Sequence, residues 1–250
     1  RGQAEAKQKN EMLEVEVSGE NMGVVIGKRV RLESGIPAIV GTKPIHMQSA
    51  DEQNTPLKLS DMYLDIGAKN KEDALESVQL GDHAAFFSNT VLFGNDRIKA
   101  KALDDRAGCA CLIQLLQQEA EYDFTACFTV CEECGKSGAD NAAFSVQPDI
   151  AIVVECTTAA DVHGVSELNQ VVNQGQGPCL SFMDNGCIYD RALFRKGLAI
   201  AKENNILCQV KRAVAGGNDS AVIQVTGAGV KVMAVSMPGR YIHSASNVLK

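Results

Sequence analysis

The chain has 250 residues, of which 45% are hydrophobic and 22% charged, a composition typical of a globular protein with one or two domains. Its net charge of −7 and its lack of Trp argue against a nucleic-acid partner, because an acidic chain repels phosphates and offers few stacking rings. No apolar run reaches the about 20 residues that cross a bilayer, so no membrane contact is expected, and the polar residues 1–10 do not resemble a signal peptide.

Nine cysteines, an odd number, are spread along the chain. Many lie in apolar stretches, as do Cys109, Cys111, Cys127 and Cys208. We interpret them as buried, reduced thiols, which predicts a reducing compartment and therefore a cytoplasmic protein. Cys131 and Cys134 have the C-x-x-C spacing, but they follow an apolar run and enclose two glutamates instead of opening a helix. We interpret this pair as packing residues too.

The first third of the chain reads as β-structure with turns. Alternating or apolar stretches predict strands over residues 12–18, 24–32, 37–40 and 84–87. Residues 50–59 are polar and contain Pro56, which predicts a loop. Asn70 is placed to cap a short helix over residues 71–77, with Asp73 three residues further on.

From about Arg97 the pattern changes to alternating strands and helices. Helical spacing is found over residues 105–119, 139–146, 190–204 and 220–225. Strands are predicted over residues 124–130, 150–154, 208–210 and 231–236, the first two as fully buried apolar runs. This alternation predicts a three-layer α/β domain, whose chemistry is expected at the carboxyl ends of the strands.

Acidic residues or a histidine follow four of the predicted strands. They are Asp104 and Asp105 after residues 100–103, Glu132 and Glu133 after 128–131, Glu155 after 152–154, and His243 after 232–236. We expect these strands to share one sheet and to deliver the side chains to the same edge. Taken singly, each has an ordinary interpretation, such as a helix cap, a solvated surface charge or a structural histidine.

Taken together, the carboxylates need a cation, because like charges within about 4–6 Å raise one another's pKa. Carboxylate oxygen and imidazole are ligands for zinc and similar divalent ions. Two such ions about 3.5–4 Å apart need a bridging carboxylate, and a free carboxylate nearby can act as a base. The Glu132–Glu133 pair suits that division, with one residue on a metal and its neighbour moving the proton.

The sequence resembles the cocatalytic metallopeptidases that include glutamyl aminopeptidases, tetrahedral (TET) aminopeptidases and proteins once named cellulase M. The resemblance runs from about Met12 onward in matching order and spacing. The matching segments are T-K-P-I-H (42–46), Y-L-D-I-G-A (63–68), K-A-L-D-D-R-A-G (101–108), E-E-C-G (132–135), G-G-N-D (216–219) and R-Y-I-H-S (240–244).

The resemblance assigns a role to each acidic residue. It implies that Asp104 bridges two metal ions, that Glu132 is the general base and that Glu133 binds one ion. Glu155 stands where the family usually has an aspartate ligand of the other ion, and His243 corresponds to the last histidine ligand. Asp105 would shape the loop without binding metal. The implied cofactors are two divalent ions, with zinc favoured over cobalt or manganese.

One ligand of the family has no counterpart here. The family carries a histidine in an upstream H-x-D motif, and none of His46, His83 and His163 fits it. From this we expect a fragment that lacks an N-terminal piece and a short C-terminal piece, and that is inactive because one histidine is absent. A natural protein without this ligand is the alternative.

The resemblance also implies an architecture and partners. Residues 1–92 would form an inserted dimerisation domain, a small β-barrel, and residues 93–250 the catalytic α/β domain. Peptides are the implied substrates, and homo-oligomers from a dimer to a dodecamer the implied assemblies. The predicted activity is removal of N-terminal residues by a metal-bridging water and a glutamate base. The alternative is a non-catalytic homologue that serves as an assembly scaffold, while a glycosidase fits the metal-type residues poorly.

Overall fold

The computed structural model describes residues 4–9, 12–17 and 24–250. Parts of the polar stretch 1–10, and Ser18 at the end of the first predicted strand, lie outside the described residues. The chain divides into two compact units. One contains residues 1–90 with 243–246, and the other contains residues 91–242 with 247–250.

The first unit is built on six antiparallel strands. They are β1 (Ala4–Lys9), β2 (Met12–Val17), β3 (Arg29–Leu32), β4 (Pro37–Thr42), β5 (Met62–Asp65) and β6 (His83–Phe86). Pairing in the order β1-β2-β5-β4-β3-β6 closes them into a barrel. Alternate residues of β3, β4 and β5 are buried and form its core, as the period of two in a strand requires.

Two short helices accompany these strands, α1 (Ala50–Asn54) and α2 (Lys71–Leu75). The cap predicted for α2 is confirmed, since the Asp73 N–H donates to Asn70 Oδ1 over 2.9 Å. The loop predicted over residues 50–59 is wrong at its start. There Ser49 and Glu52 form a capping box that satisfies the first N–H groups of α1, and Pro56 follows the helix instead of breaking it.

The second unit contains two open sheets and four helices. Its strands are β7 (Val91–Phe93), β8 (Arg97–Ala100), β9 (Ile150–Thr158), β10 (Cys179–Leu180), β11 (Gln209–Val210), β12 (Lys231–Gly239) and β13 (Asn247–Leu249). Its helices are α3 (Leu103–Leu116), α4 (Ser137–Val146), α5 (Arg191–Glu203) and α6 (Ser220–Ile223). The mixed α/β class is confirmed. Among the described residues, no helix has the length and apolar character that crossing a bilayer requires.

The mixed sheet has the strand order β11-β10-β12-β9. Its longest pair, β12 and the edge strand β9, runs parallel in register from Lys231 opposite Ile150 to Gly239 opposite Thr158. A second sheet has the order β13-β8-β7. The prediction that four strands of one sheet deliver the acidic residues is therefore wrong, because β8 and β9 belong to different sheets. Alternation of strands and helices along the chain indicates the fold class but does not assign strands to a sheet.

The buried strand predicted over residues 124–130 is also wrong. This segment pairs with no strand in the part of the chain that the structure describes, and Phe128 and Val130 are 49% and 53% exposed. The strand β9 forms as predicted, but Ile152 within it is 56% exposed instead of buried. An apolar run predicts a tendency to be covered, whereas pairing and burial need a neighbouring element that the run itself does not specify.

Only three cysteines are buried among the described residues, namely Cys156, Cys179 and Cys187. The interpretation of all cysteines as packing residues is therefore wrong. Cys111, Cys127, Cys131 and Cys134 are exposed. Cys111 lies on a face of helix α3, and the other three lie in segments that no described element covers. Local apolar composition does not reveal whether a segment is covered.

Candidate metal centre

Two adjacent aspartates open helix α3. Asp104 and Asp105 both have non-helical backbone angles, and the peptide bond between them is cis. The carboxylate of Asp105 accepts from the Gly108 N–H over 3.1 Å and so caps the regular part of the helix. A Cβ on Gly108 would lie 2.2 Å from Asp105 Oδ2, so only glycine allows this cap. The loop-shaping role expected for Asp105 matches this contact.

Asp105 is an unfavourable place for a negative charge. Burial raises the pKa of Asp105 to about 7, and the charge of Asp104 raises it further, while the hydrogen bond from Gly108 opposes the shift. Two carboxylates in succession therefore share a partly dry environment at the start of α3.

The second acidic pair lies on a tight turn. Glu132–Cys134 form one 3₁₀ turn, entered through Cys131 in the left-handed region at φ 61°. The turn is held by the Cys131 carbonyl, which accepts from the Lys136 N–H over 2.6 Å. Burial raises the pKa of Glu132, and although Lys136 lowers it, the charge of Glu133 raises it. Glu132 thus binds a proton more readily than an exposed glutamate, as a general base requires.

Glu155 lies within strand β9, not after it, and the register places it opposite Ser236 of β12. Glu155 Oε1 accepts from the Ser236 hydroxyl and from Asn218 Nδ2, each over 2.9 Å. Burial raises the pKa of Glu155 to about 8, against the effect of the Ser236 hydrogen bond and of the Lys211 charge. The carboxylate is therefore held in a fixed orientation but is costly to ionise without a cation.

Asn218 joins Glu155 to a buried polar network that the sequence interpretation missed. Its Nδ2 also donates to Tyr189 Oη over 2.8 Å, and its Oδ1 accepts from the Ser220 N–H over 2.8 Å. Tyr189 in turn donates to Asp184. The sequence analysis identified the G-G-N-D segment that contains Asn218. However, neither spacing nor composition connects residue 218 with residue 155.

Asp219 is the next buried acid. Its Oδ2 accepts from Thr129 Oγ1 over 2.7 Å, whereas its buried Oδ1 has no hydrogen-bond partner. Burial raises the pKa of Asp219, and the charge of Asp219 in turn raises the pKa of Glu132. Asp219 therefore contributes a carboxylate to the surroundings of the acidic turn, while its neighbour Asn218 contacts Glu155.

Three of the predicted ligands come together. Asp104, Glu133 and His243 each offer a ligand atom, and these atoms lie within 4.8 Å of one another. A second group with the same spacing contains Asp104 again, with Asp105 and Cys156. Among the described residues, Glu155 lies outside both groups, and so do the other three histidines, His46, His83 and His163.

The chemistry of these donors fits a divalent cation. The charge of Asp104 raises the pKa of Asp105, Glu132 and Glu155, so several carboxylates share one electrostatic environment. Two carboxylates and an imidazole are a common set for zinc, and a bound cation would relieve the repulsion. Asp104, with its place in both groups, is the residue best located to contact more than one ion.

Comparison with known proteins agrees with this geometry. The family model for M42 glutamyl aminopeptidases matches residues 8–250. A protein of Acetivibrio thermocellus, named as a candidate aminopeptidase, is 38% identical over 221 residues, which are 88% of this chain and 64% of that protein. The chain thus spans less than two thirds of this relative's length.

Solved structures have the same fold. A TET aminopeptidase of the marine sediment archaeon Thaumarchaeota archaeon SCGC AB-539-E09 matches with a TM-score of 0.90 and 31% identity, covering 99% of this chain and 73% of that one. The Pyrococcus horikoshii TET1 peptidase, described as assembling into a tetrahedron or a large octahedral shell, matches with a TM-score of 0.83 and 29% identity, covering 99% and 75%. The chain belongs to the M42 glutamyl aminopeptidase family.

Proposed function

We propose that the protein is a metal-dependent aminopeptidase that removes N-terminal residues from peptides with two divalent ions and a glutamate base. The observation that carries this proposal is that ligand atoms of Asp104, Glu133 and His243 lie within 4.8 Å of one another, with Glu133 on the same turn as the partly buried Glu132. Family membership supports the reaction class.

The donor positions divide between two ions. Asp104, Glu133 and His243 together would hold one ion. Asp104 would also contact the second ion, with Glu155 as a further ligand oriented by Ser236 and Asn218. Zinc fits these ligands, and cobalt or manganese can use the same set.

The remaining chemistry belongs to the chain's own residues. When bound, the ions would polarise the peptide carbonyl and lower the pKa of a bound water. Glu132 accepts the proton of the attacking water and delivers it to the leaving amine. Burial and the neighbouring charges of Glu133 and Asp219 raise the pKa of Glu132. The raised pKa favours uptake of the proton from water, and the protonated side chain can then donate it to the leaving amine.

The substitution Glu132→Gln tests the base directly. It keeps the size of the side chain but removes its ability to take a proton, so hydrolysis should fall about 100- to 10,000-fold while bound metal is kept. The measurement is hydrolysis of an aminoacyl chromogenic substrate, beside metal content, in the longest form that the gene encodes. Activity within a few-fold of the unsubstituted protein would exclude Glu132 as the base.

The number of ions held by residues 1–250 is a second test. One ion has three protein ligands in Asp104, Glu133 and His243, whereas the other has only Asp104 and Glu155. Zinc sites use at least three protein ligands. We therefore expect one equivalent of zinc per chain after dialysis and little peptidase activity, measured by elemental analysis and peptide hydrolysis. Two retained equivalents with normal turnover would contradict this.

Asn218 provides a third test, because it positions Glu155 without being a ligand. In the longest form that the gene encodes, Asn218→Ala removes the donor to Glu155 and should weaken binding of the second zinc ion about 10- to 100-fold. Asn204→Ala is the matched control, since Asn204 is exposed and its side chain donates to the Ile200 carbonyl at the end of α5. Zinc affinity comes from chelator competition, and thermal unfolding checks the fold. Equal affinities in folded samples would remove Asn218 from the site.

We further propose that the barrel is an inserted dimerisation domain, that residues 93–250 form a three-layer catalytic domain, and that the protein is cytoplasmic. The support for assembly is that the barrel contains none of the acidic ligands and that the relative from Pyrococcus horikoshii is described as forming closed shells.

Assembly predicts a homo-oligomer, from a dimer up to a dodecamer. Light scattering at micromolar concentration should give a mass that is a multiple of the protomer mass. Ile39 and Ile45 are exposed apolar residues of the first unit. If the surface that they occupy is the contact between protomers, the double substitution Ile39→Lys and Ile45→Lys should lower the measured mass. A strictly monomeric unsubstituted protein would count against the proposal.

A further inference from the structure

Asp184 is a buried acid that the proposed reaction does not use. Its Oδ1 accepts from the Gly186 N–H over 2.8 Å and from the Cys187 N–H over 2.7 Å. Its Oδ2 accepts from the Tyr189 hydroxyl and, over 3.4 Å, from Asn218 Nδ2. All four of these groups are donors, so both oxygens of Asp184 act as acceptors.

Asp184 sets the direction of the hydrogen bonds made by Tyr189. A hydroxyl has one proton to donate, and Tyr189 donates its proton to Asp184. Burial, together with this hydrogen bond, raises the pKa of Tyr189, so the hydroxyl keeps that proton. Toward Asn218, whose Nδ2 lies 2.8 Å away, the Tyr189 oxygen can therefore only accept. The NH₂ group of Asn218, and not its carbonyl oxygen, has to face Tyr189.

The direction of the Asn218 amide decides what Glu155 meets. Asn218 Oδ1 accepts from the Ser220 N–H over 2.8 Å, which agrees with the direction that Tyr189 requires. The NH₂ group is then free to donate to Glu155 Oε1 over 2.9 Å, beside the donor hydroxyl of Ser236. A reversed amide would place its oxygen against the Glu155 carboxylate, and two acceptors in contact repel each other.

We propose that Asp184 and Tyr189 are positioning residues, which fix the direction of the Asn218 amide and through it hold Glu155 as a ligand of the second ion. The inference rests on the proposed function, because the second ion belongs to that function. Each residue acts through its neighbour and not on the ion itself. Such supporting contacts commonly change metal affinity about 10- to 100-fold when they are removed.

Tyr189→Phe is the conservative test. It keeps the ring, which packs with Val232 and Ala234 in an apolar cluster, and removes only the hydroxyl. The Asn218 amide loses one of its acceptors but keeps its bond from the Ser220 N–H. We therefore expect binding of the second zinc ion to weaken about 3- to 10-fold, as the loss of one hydrogen bond allows.

Asp184→Asn should have the larger effect. The new amide keeps its oxygen toward the Gly186 and Cys187 N–H groups, so its NH₂ group takes the place of Oδ2. The Tyr189 proton then loses its acceptor, and the new NH₂ group meets that of Asn218. We expect binding of the second zinc ion to weaken about 10- to 100-fold.

A double-mutant cycle separates this positioning role from simple packing. Zinc affinities are measured by chelator competition in the longest form that the gene encodes, without peptide. In the Asn218→Ala background, Tyr189→Phe should change the affinity of the second ion less than about twofold, because Asn218 carries the effect. Affinity for the first ion should stay unchanged in every variant. Equal losses from Tyr189→Phe in both backgrounds, or none in either, would overturn the proposal.

Matched controls come from an exposed segment after α3. Tyr122→Phe and Asp123→Asn make the same chemical changes as the test variants, at side chains that lie in solvent. Both should leave the affinity of the second ion unchanged. A loss as large as that of Tyr189→Phe or Asp184→Asn in these controls would show that the substitutions act without the buried hydrogen bonds, against the proposal.

Thermal unfolding of the metal-free protein tests the same contacts without any ion. Tyr189→Phe and Asn218→Ala both remove the hydrogen bond between these residues, so the drop in Tm of the double variant should be smaller than the sum of the single drops by about 2–4 °C. Purely additive drops would overturn the proposal. An unsubstituted protein that binds no second zinc ion but shows this coupling would count against the proposed function alone.

Discussion

Repulsion between carboxylates is the constraint around which the second unit is arranged. Burial raises the pKa of acidic residues on α3, on the 3₁₀ turn and on β9, and the charge of Asp104 raises each of these pKa values further. An arrangement of this kind costs stability unless a cation compensates for it. The carboxylate of Asp105 is held in place despite that cost by its hydrogen bond from the Gly108 N–H. This close contact is possible because Gly108 has no Cβ.

The pairing of β9 with β12 fixes the position of Glu155 among these carboxylates. Nine residue pairs in parallel register fix Glu155 opposite Ser236. The buried side of the sheet adds Tyr189, Val232 and Ala234 as a small apolar cluster, and Asn218 reaches Glu155 from the same region. A carboxylate fixed by two hydrogen bonds on a paired strand is pre-oriented, which limits the entropy lost when a ligand binds it.

The glutamate turn is built differently, because it depends on loop hydrogen bonds and not on a sheet. Cys131 and Lys136 both adopt positive φ, and Gly138 approaches the Val130 backbone so closely that a Cβ would lie 2.3 Å from its carbonyl oxygen. Such a turn holds Glu132 and Glu133 in a defined direction through backbone hydrogen bonds. Glu155 is held by strand pairing, and the Glu132–Glu133 pair is held by loop hydrogen bonds.

Sequence alone determined the elements whose signals are local. The Asn70 cap, the long helix after Asp190, and the strands β9 and β12 follow from periodicity and capping chemistry, and the acidic motifs of α3 and of the turn indicated the residues of the candidate centre. Tertiary structure alone decided which strands share a sheet, that residues 124–130 pair with no strand among the described residues, and that Asn218 holds Glu155. It also decided that Cys131 and Cys134 are exposed. The physical reason is that periodicity and capping act within a few residues, whereas pairing, burial and side-chain networks join residues that are far apart in the chain.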